Sequence, residues 1–281
     1  MGQVPGGVPD GVVFTDLDGT LLDHHSYRYD AALPALRELA RRGVPVVLCS
    51  SKTRAEMAQL QAELGIDGPL IVENGGGVFA AADSPWAGLL PQRHGGLPAR
   101  VFGTAYPALR EGLASIREVF GSGVRGFGDT DPAGVAAWTG LPPRQAELAW
   151  QREFDEPFLW DPEPAAADLG RARQRLAAHG LQLTRGGRFW HVLGDNDKGR
   201  AVSWLLERWM DTVGGRPPSL GLGDSENDLP MLGVVDRGVL VERRDGTHLA
   251  PRPPGVKTVS GQGPVGWNRA VLEWLESLPA A

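Results

Sequence analysis

Two aspartates two residues apart, Asp16 and Asp18, end the short apolar run Val12-Val13-Phe14-Thr15 and are followed at once by Gly19 and Thr20. Carboxylates held this close can divide labour, one ionised as a nucleophile and the other protonated as a general acid. They also offer the hard oxygens that Mg²⁺ takes, one or two carboxylates beside a substrate phosphate. The same residue types make an ordinary solvated turn, so the pair gains meaning only from what accompanies it. Three further stretches do so. Ser50 and Lys52 follow the apolar run Val44–Cys49, Lys198 opens a helical pattern, and Asp224 and Asp228 follow Ser219–Leu222. A hydroxyl and an ammonium suit phosphoryl oxygens, while the carboxylates suit a nucleophile and a divalent cation. A basic residue at a helix start opposes the helix dipole, and a bound phosphate would supply the reason.

Elements must bring these groups together. Val12–Phe14, Val44–Cys49 and Leu70–Val72 are apolar without alternation, the signature of strands buried on both faces. Between them lie helical patterns, Tyr27–Arg42 stopped by Gly43 and a second around Met57, Leu60 and Leu64 closed by Gly65. Strand–helix–strand–helix–strand implies a parallel sheet with right-handed crossovers, whose ligands bind beyond the carboxyl ends of the strands. From about Ser84 the texture changes to a Pro/Gly-broken connection, a helix over Tyr106–Phe120 and strands near 153–159, 181–185 and 189–193, the last two turning over Gly186-Gly187. The expected fold is α/β: a Rossmann-like core over 11–91 and 192–281, an inserted α+β module over 92–191, and a loose tail over 1–10.

With a net charge of −6 and no basic stripe, nucleic acid is not an expected partner. A single cysteine, Cys49, excludes an intramolecular disulfide and fits a reducing compartment. No second cysteine or spaced histidine cluster accompanies His24 and His25, so zinc is not expected. No apolar run approaches the ~20 residues of a membrane span. The Gly/Pro-rich start lacks the parts of a signal peptide, and the expected location is the cytoplasm.

The stretches around Asp16, Ser50, Lys198 and Asp224, in that order and context, resemble the four motifs of the haloacid dehalogenase-like (HAD) phosphohydrolases. The place and size of the insertion resemble the type IIB cap subfamily. Ser50-Ser51-Lys52-Thr53, Glu73 to Gly77, Arg152 to Glu156, Gly186 to His191 and Asp197 to Ala201 are similar to the mannosyl-3-phosphoglycerate phosphatases, over about residues 12–235. The resemblance implies an aspartyl-phosphate mechanism with Asp16 as nucleophile and Asp18 as general acid and base. It implies Mg²⁺ held by Asp16, the Asp18 carbonyl and Asp224, with Asp228 and Asn227 orienting that site. Ser50, or Ser51 if the strand runs one residue longer, and Lys198 would hold the phosphoryl oxygens. The substrate would be a small phosphorylated sugar, the first expectation being mannosyl-3-phosphoglycerate and other sugar phosphates the alternative. Candidates for holding it are Lys52, Asn74, Gly75, Arg152, Glu156, Arg188 and His191.

Overall fold

The computed structural model describes residues 9–186 and 188–278. Residues 1–8 of the expected tail and Gly187 of the expected turn lie outside the described residues. Strands β1 (Val12–Thr15), β2 (Val46–Cys49), β3 (Leu70–Val72), β4 (Gly77–Phe79), β5 (Gln92–His94) and β6 (Leu97–Val101) come first. They are followed by β7 (Val124–Gly126), β8 (Asp155–Trp160), β9 (Gln182–Arg185) and β10 (Trp190–Leu193), then β11 (Ser219–Gly223), β12 (Arg237–Glu242) and β13 (Lys257–Gln262).

One nine-stranded sheet has the order β13-β12-β11-β1-β2-β3-β4-β6-β5. The strands from β13 to β3 pair in parallel, and β4, β6 and β5 extend the edge antiparallel. Its two faces carry separate cores. Val13, Val46, Leu48, Leu70 and Leu222 pack on one side with the helices Leu33–Arg41 and Pro264–Ser277. Val12, Phe14, Val47, Cys49 and Ile71 pack on the other with the helix Lys198–Val213. Successive side chains enter opposite layers, both dry, which is why these runs show no polar alternation. Burying one such side chain is worth about 1.5–3 kcal/mol.

A second sheet, antiparallel in the order β7-β8-β10-β9, has its own apolar core, with Leu113, Ile116, Phe158, Leu176 and Val192 between strands and two helices. Here one expectation is corrected. β5 and β6, assigned to the insertion, belong to the large sheet, and the expected return at residue 192 cuts β10 in half. Gly95 and Gly96, read as breakers, have φ of +55° and +82°; they form the two-residue turn that a tight hairpin demands. We take the cap as the segment between β6 and the end of β10. Its links, 102–105 and 194–197, touch: a Cβ built on Gly194 would lie 2.8 Å from Thr104 N.

No helix among the described residues is long and apolar enough to cross a membrane.

Glu73 fastens the cap to the core. It is fully buried with φ +46°, and its carboxylate accepts the N–H groups of Glu153 (3.1 Å) and Phe154 (2.7 Å). Burial, partly offset by Arg152, pushes its pKa up from 4.5 to about 8. A raised carboxyl pKa means the native state holds a proton that the unfolded chain has released, so stability falls as pH rises through that window. Thermal unfolding of the parent and Glu73→Gln should therefore diverge between pH 4.5 and 8. The parent is expected to lose on the order of 1 kcal/mol per pH unit relative to the variant. Parallel pH profiles would overturn this.

Candidate active site

Three neighbouring parallel strands, β11, β1 and β2, deliver their polar termini to one edge of the sheet, as expected of a doubly wound core. Asp16 follows β1 and Ser50 follows β2, both buried. Lys198 is the first residue of its helix, whose N-cap Asp197 accepts the Arg200 N–H at 2.8 Å. The cap side chain fixes the helix start, and the lysine points inward instead of outward. It is fully buried, with Nζ 2.7 Å from Asp16 Oδ1 and 2.7 Å from Asp228 Oδ1. Burial would discharge the ammonium, but the two carboxylates outweigh it and hold its pKa above the usual lysine value.

Asp228 is held by protein donors on both carboxylate oxygens. Its Oδ1 serves Lys198 and its Oδ2 accepts the N–H groups of Asp224 (3.0 Å) and Ser225 (2.9 Å). With both oxygens engaged by protein donors, it shapes the loop and aims the lysine. Asp16 Oδ2 and Asp224 Oδ2 accept no hydrogen bond from the described residues. The loops meet closely because Gly19 has φ +81° and no side chain; a Cβ there would lie 3.0 Å from Asp224 Oδ2.

Asp16, Asp224 and Asp228 bring ligand atoms within 4.8 Å of one another, against the single lysine. Burial first, then Asp228, raise the pKa of Asp16 well above its ordinary value, and the same causes take Asp224 to about 6. Hard oxygens in negative excess are the chemistry that a divalent cation relieves. The donor set therefore fits Mg²⁺.

The cap closes over this edge, leaving a cavity of about 150 Å³ that shares Arg188, Gly186 and Asp224 with an outer one of about 870 Å³. Asp18 enters the inner cavity, where its Oδ2 is 2.9 Å from Lys52 Nζ and its Oδ1 is buried without a partner among the described residues. Asp18 and Glu56 hold the Lys52 ammonium above its usual pKa despite burial. Arg152 also lines the cavity, and its guanidinium donates to the carbonyls of Ser51 and Ala149, both at 2.8 Å. Arg188 lies in the turn before β10 and donates to the carbonyls of Trp138 (3.0 Å) and Thr139 (2.8 Å). His191 lines the cavity from β10.

Other expected residues lie elsewhere. Glu156 points to the far side of β8, where it accepts from Tyr106, Arg110 and Gly128 N, and it is fully buried. Its neighbour Asp155 faces the site instead. Asn74 and Gly75 sit behind the cavity: Asn74 bridges Asp155 and Asn227, and a Cβ on Gly75 would meet Asp197 O at 2.1 Å. Of the two serines, Ser51 reaches the cavity, while Ser50 is 1% exposed with Oγ accepting the Lys52 N–H at 3.3 Å. No tryptophan among the described residues lines the cavity; Tyr27, Phe127 and Phe189 do.

Comparison with known proteins agrees with this geometry. Residues 13–85 match the model of haloacid dehalogenase-like hydrolases. A glucosyl-3-phosphoglycerate/mannosyl-3-phosphoglycerate phosphatase of Methanococcoides burtonii is 43% identical over 270 residues, 93% of this chain and 96% of that protein. One of the same name from Persephonella marina is 35% identical over 95% of this chain and 98% of its own length. A solved sugar phosphatase of HAD subclass IIB superposes with a TM-score of 0.63 at 14% identity, covering 94% of this chain and 98% of its own. Fold, order of motifs and near full-length likeness converge, and the chain belongs to the haloacid dehalogenase-like hydrolase family.

Proposed function

We propose that the chain is a Mg²⁺-dependent phosphomonoesterase of sugar 3-phosphoglycerates, with mannosyl-3-phosphoglycerate and glucosyl-3-phosphoglycerate as substrates. The observation that carries it is the Asp16–Lys198–Asp228 array opening into a cap-covered cavity beside Asp18. The two relatives named for both substrates support the substrate class; the mannosyl form alone was the narrower expectation.

In this reading Asp16 attacks phosphorus, a bond forms from its carboxylate oxygen, and the bond to the glycerate oxygen breaks. Asp18 supplies the proton to the departing alkoxide, then takes one from the water that opens the aspartyl-phosphate. Lys198 neutralises charge on the transferring group and on Asp16. Asp16 and Asp224 would hold Mg²⁺, which would screen the repulsion between carboxylates and phosphate. The small inner cavity keeps bulk water from the reacting atoms.

Phosphate release from both glycosyl phosphoglycerates and from simple hexose phosphates tests the reading, with and without excess EDTA. The expected result is at least about a tenfold preference in kcat/KM for the phosphoglycerates, lost on chelation and restored by Mg²⁺. Equal turnover of hexose phosphates would overturn the substrate, and full activity in EDTA would overturn the metal.

A further inference from the structure

Asp155 is a buried carboxylate that the chemistry above does not use. Its two oxygens each lie 2.9 Å from His191 Nδ1, and Oδ2 accepts from Asn74 Nδ2 at 2.9 Å. Asn74 is 2% exposed and sits at φ +55°, a left-handed conformation that asparagine tolerates. Its own Oδ1 accepts from Asn227 Nδ2 at 3.0 Å. The chain Asn227–Asn74–Asp155–His191 runs from the loop of Asp224 and Asp228 into the cap, and its polarity follows from an Asp155 carboxylate that can only accept. Asn227 gives a hydrogen to Asn74, so Asn74 turns its amide hydrogens to Asp155. An ionised Asp155 has no hydrogen to give and takes one from His191 Nδ1. A neutral imidazole held in this way carries its lone pair on Nε2. That atom has no partner among the described residues. Residue 186 beside it is a glycine, where a Cβ would stand 2.7 Å from Nε2, so no side chain shields Nε2 from that quarter.

We infer that Asp155 and Asn74 are positioning residues that hold His191 with Nε2 as an acceptor for a hydroxyl of the substrate's sugar, keeping this reader in register with the metal-holding loop. The inference rests on the phosphatase reading and adds to it how the leaving group is recognised. Guanidinium and ammonium groups in the same cavity can hold the glycerate carboxylate, but they have no lone pair to accept a hydroxyl hydrogen. A carboxylate that orients a histidine in this way is worth about 10–100-fold when removed from metal sites, and a similar loss is expected here.

Asp155→Asn tests it. The new amide can donate to Nδ1 and turn Nε2 into a donor, the wrong polarity for a hydroxyl hydrogen. KM for the glycosyl phosphoglycerate is expected to rise at least about tenfold with little change in kcat, while kcat/KM for para-nitrophenyl phosphate, which has no sugar, stays at the parent value. His191→Asn keeps an amide near the Nδ1 position and deletes the Nε2 atom; it should give the same KM, and the double variant should be no worse than either single one. Equal losses on both substrates would reduce Asp155 to a structural prop, as would additive effects in the double variant. An unchanged KM would overturn the inference outright. If Asp155→Asn fails to fold, His191→Asn alone decides between the same outcomes. A parent enzyme that hydrolyses para-nitrophenyl phosphate but no glycosyl phosphoglycerate would instead refute the substrate reading.

Discussion

Asp16→Asn should leave a folded protein with kcat for phosphate release down by four orders of magnitude or more, on the order of what removing a covalent nucleophile costs elsewhere. The amide oxygen can still accept from Lys198, so the local hydrogen bonds survive the change. What is lost is the oxygen that must bond to phosphorus. With no divalent cation added, the same variant should be more stable than its parent at neutral pH. Burial and Asp228 hold the pKa of Asp16 well above its usual value, so the ionised form is disfavoured in the native state. A neutral residue removes that penalty. A gain of 1 kcal/mol would raise the melting temperature by about 2–4 °C in a protein of this size. Rapid-quench assay and thermal unfolding check the two halves independently. Activity above a hundredth of the parent's would take the nucleophile role from Asp16, and a lower melting temperature would refute the electrostatic account.

Lys198→Met should fail differently. Its ammonium is the hydrogen-bonded cation common to Asp16 and Asp228, and removing it leaves two buried carboxylates facing each other. Breaking a buried pair of this kind costs about 3–5 kcal/mol. Loss of a charge that stabilises the transferring phosphoryl group costs a further 10²–10³-fold in kcat, as an order of magnitude. The stability deficit should shrink at low pH. Without the lysine the pKa of Asp16 rises further, so the native state holds a proton that the unfolded chain has released and recovers stability as pH falls. A melting temperature equally depressed at pH 5 and pH 8 would refute this. The contrast with Asp16→Asn is the useful part: one variant trades activity for stability, the other loses both.

Much of this arrangement is legible in the amino-acid sequence. Asp16, Asp18, Asp224 and Lys198 each stand where an apolar run ends or a helical pattern begins, and such local transitions suffice to place side chains at one edge of a parallel sheet. The cap is harder to read. Alternation along β8 requires Asp155 and Glu156 to face opposite ways, but it does not say which faces the site. Both sides of that strand are buried, so polarity offers no guide. The decision rests on His191 and Asn74, 36 and 81 residues away in sequence. Gly75 likewise reads as a ligand loop until Asp197 O is seen packed against it. Ser50 and Ser51 differ by one residue, below the precision with which a strand end can be read from sequence. The β5–β6 hairpin hides for a related reason: Gly95, Gly96 and Pro98 look like a broken connection unless the pairing partner is known.

The contact between Gly194 and Thr104 bears on how such a protein can diversify. The cap departs from the sheet and rejoins it at one spot, so its ends ask almost nothing of the material between them. A different insertion of any size could be grafted at that seam without disturbing a single rung of the ladder that holds Asp16. Breaking the phosphate bond and choosing whose bond to break are thus heritable separately. The tether between them is a short set of hydrogen bonds, lent to the visiting module by Glu73, Asn74, Thr53, Arg54 and the Ser51 carbonyl.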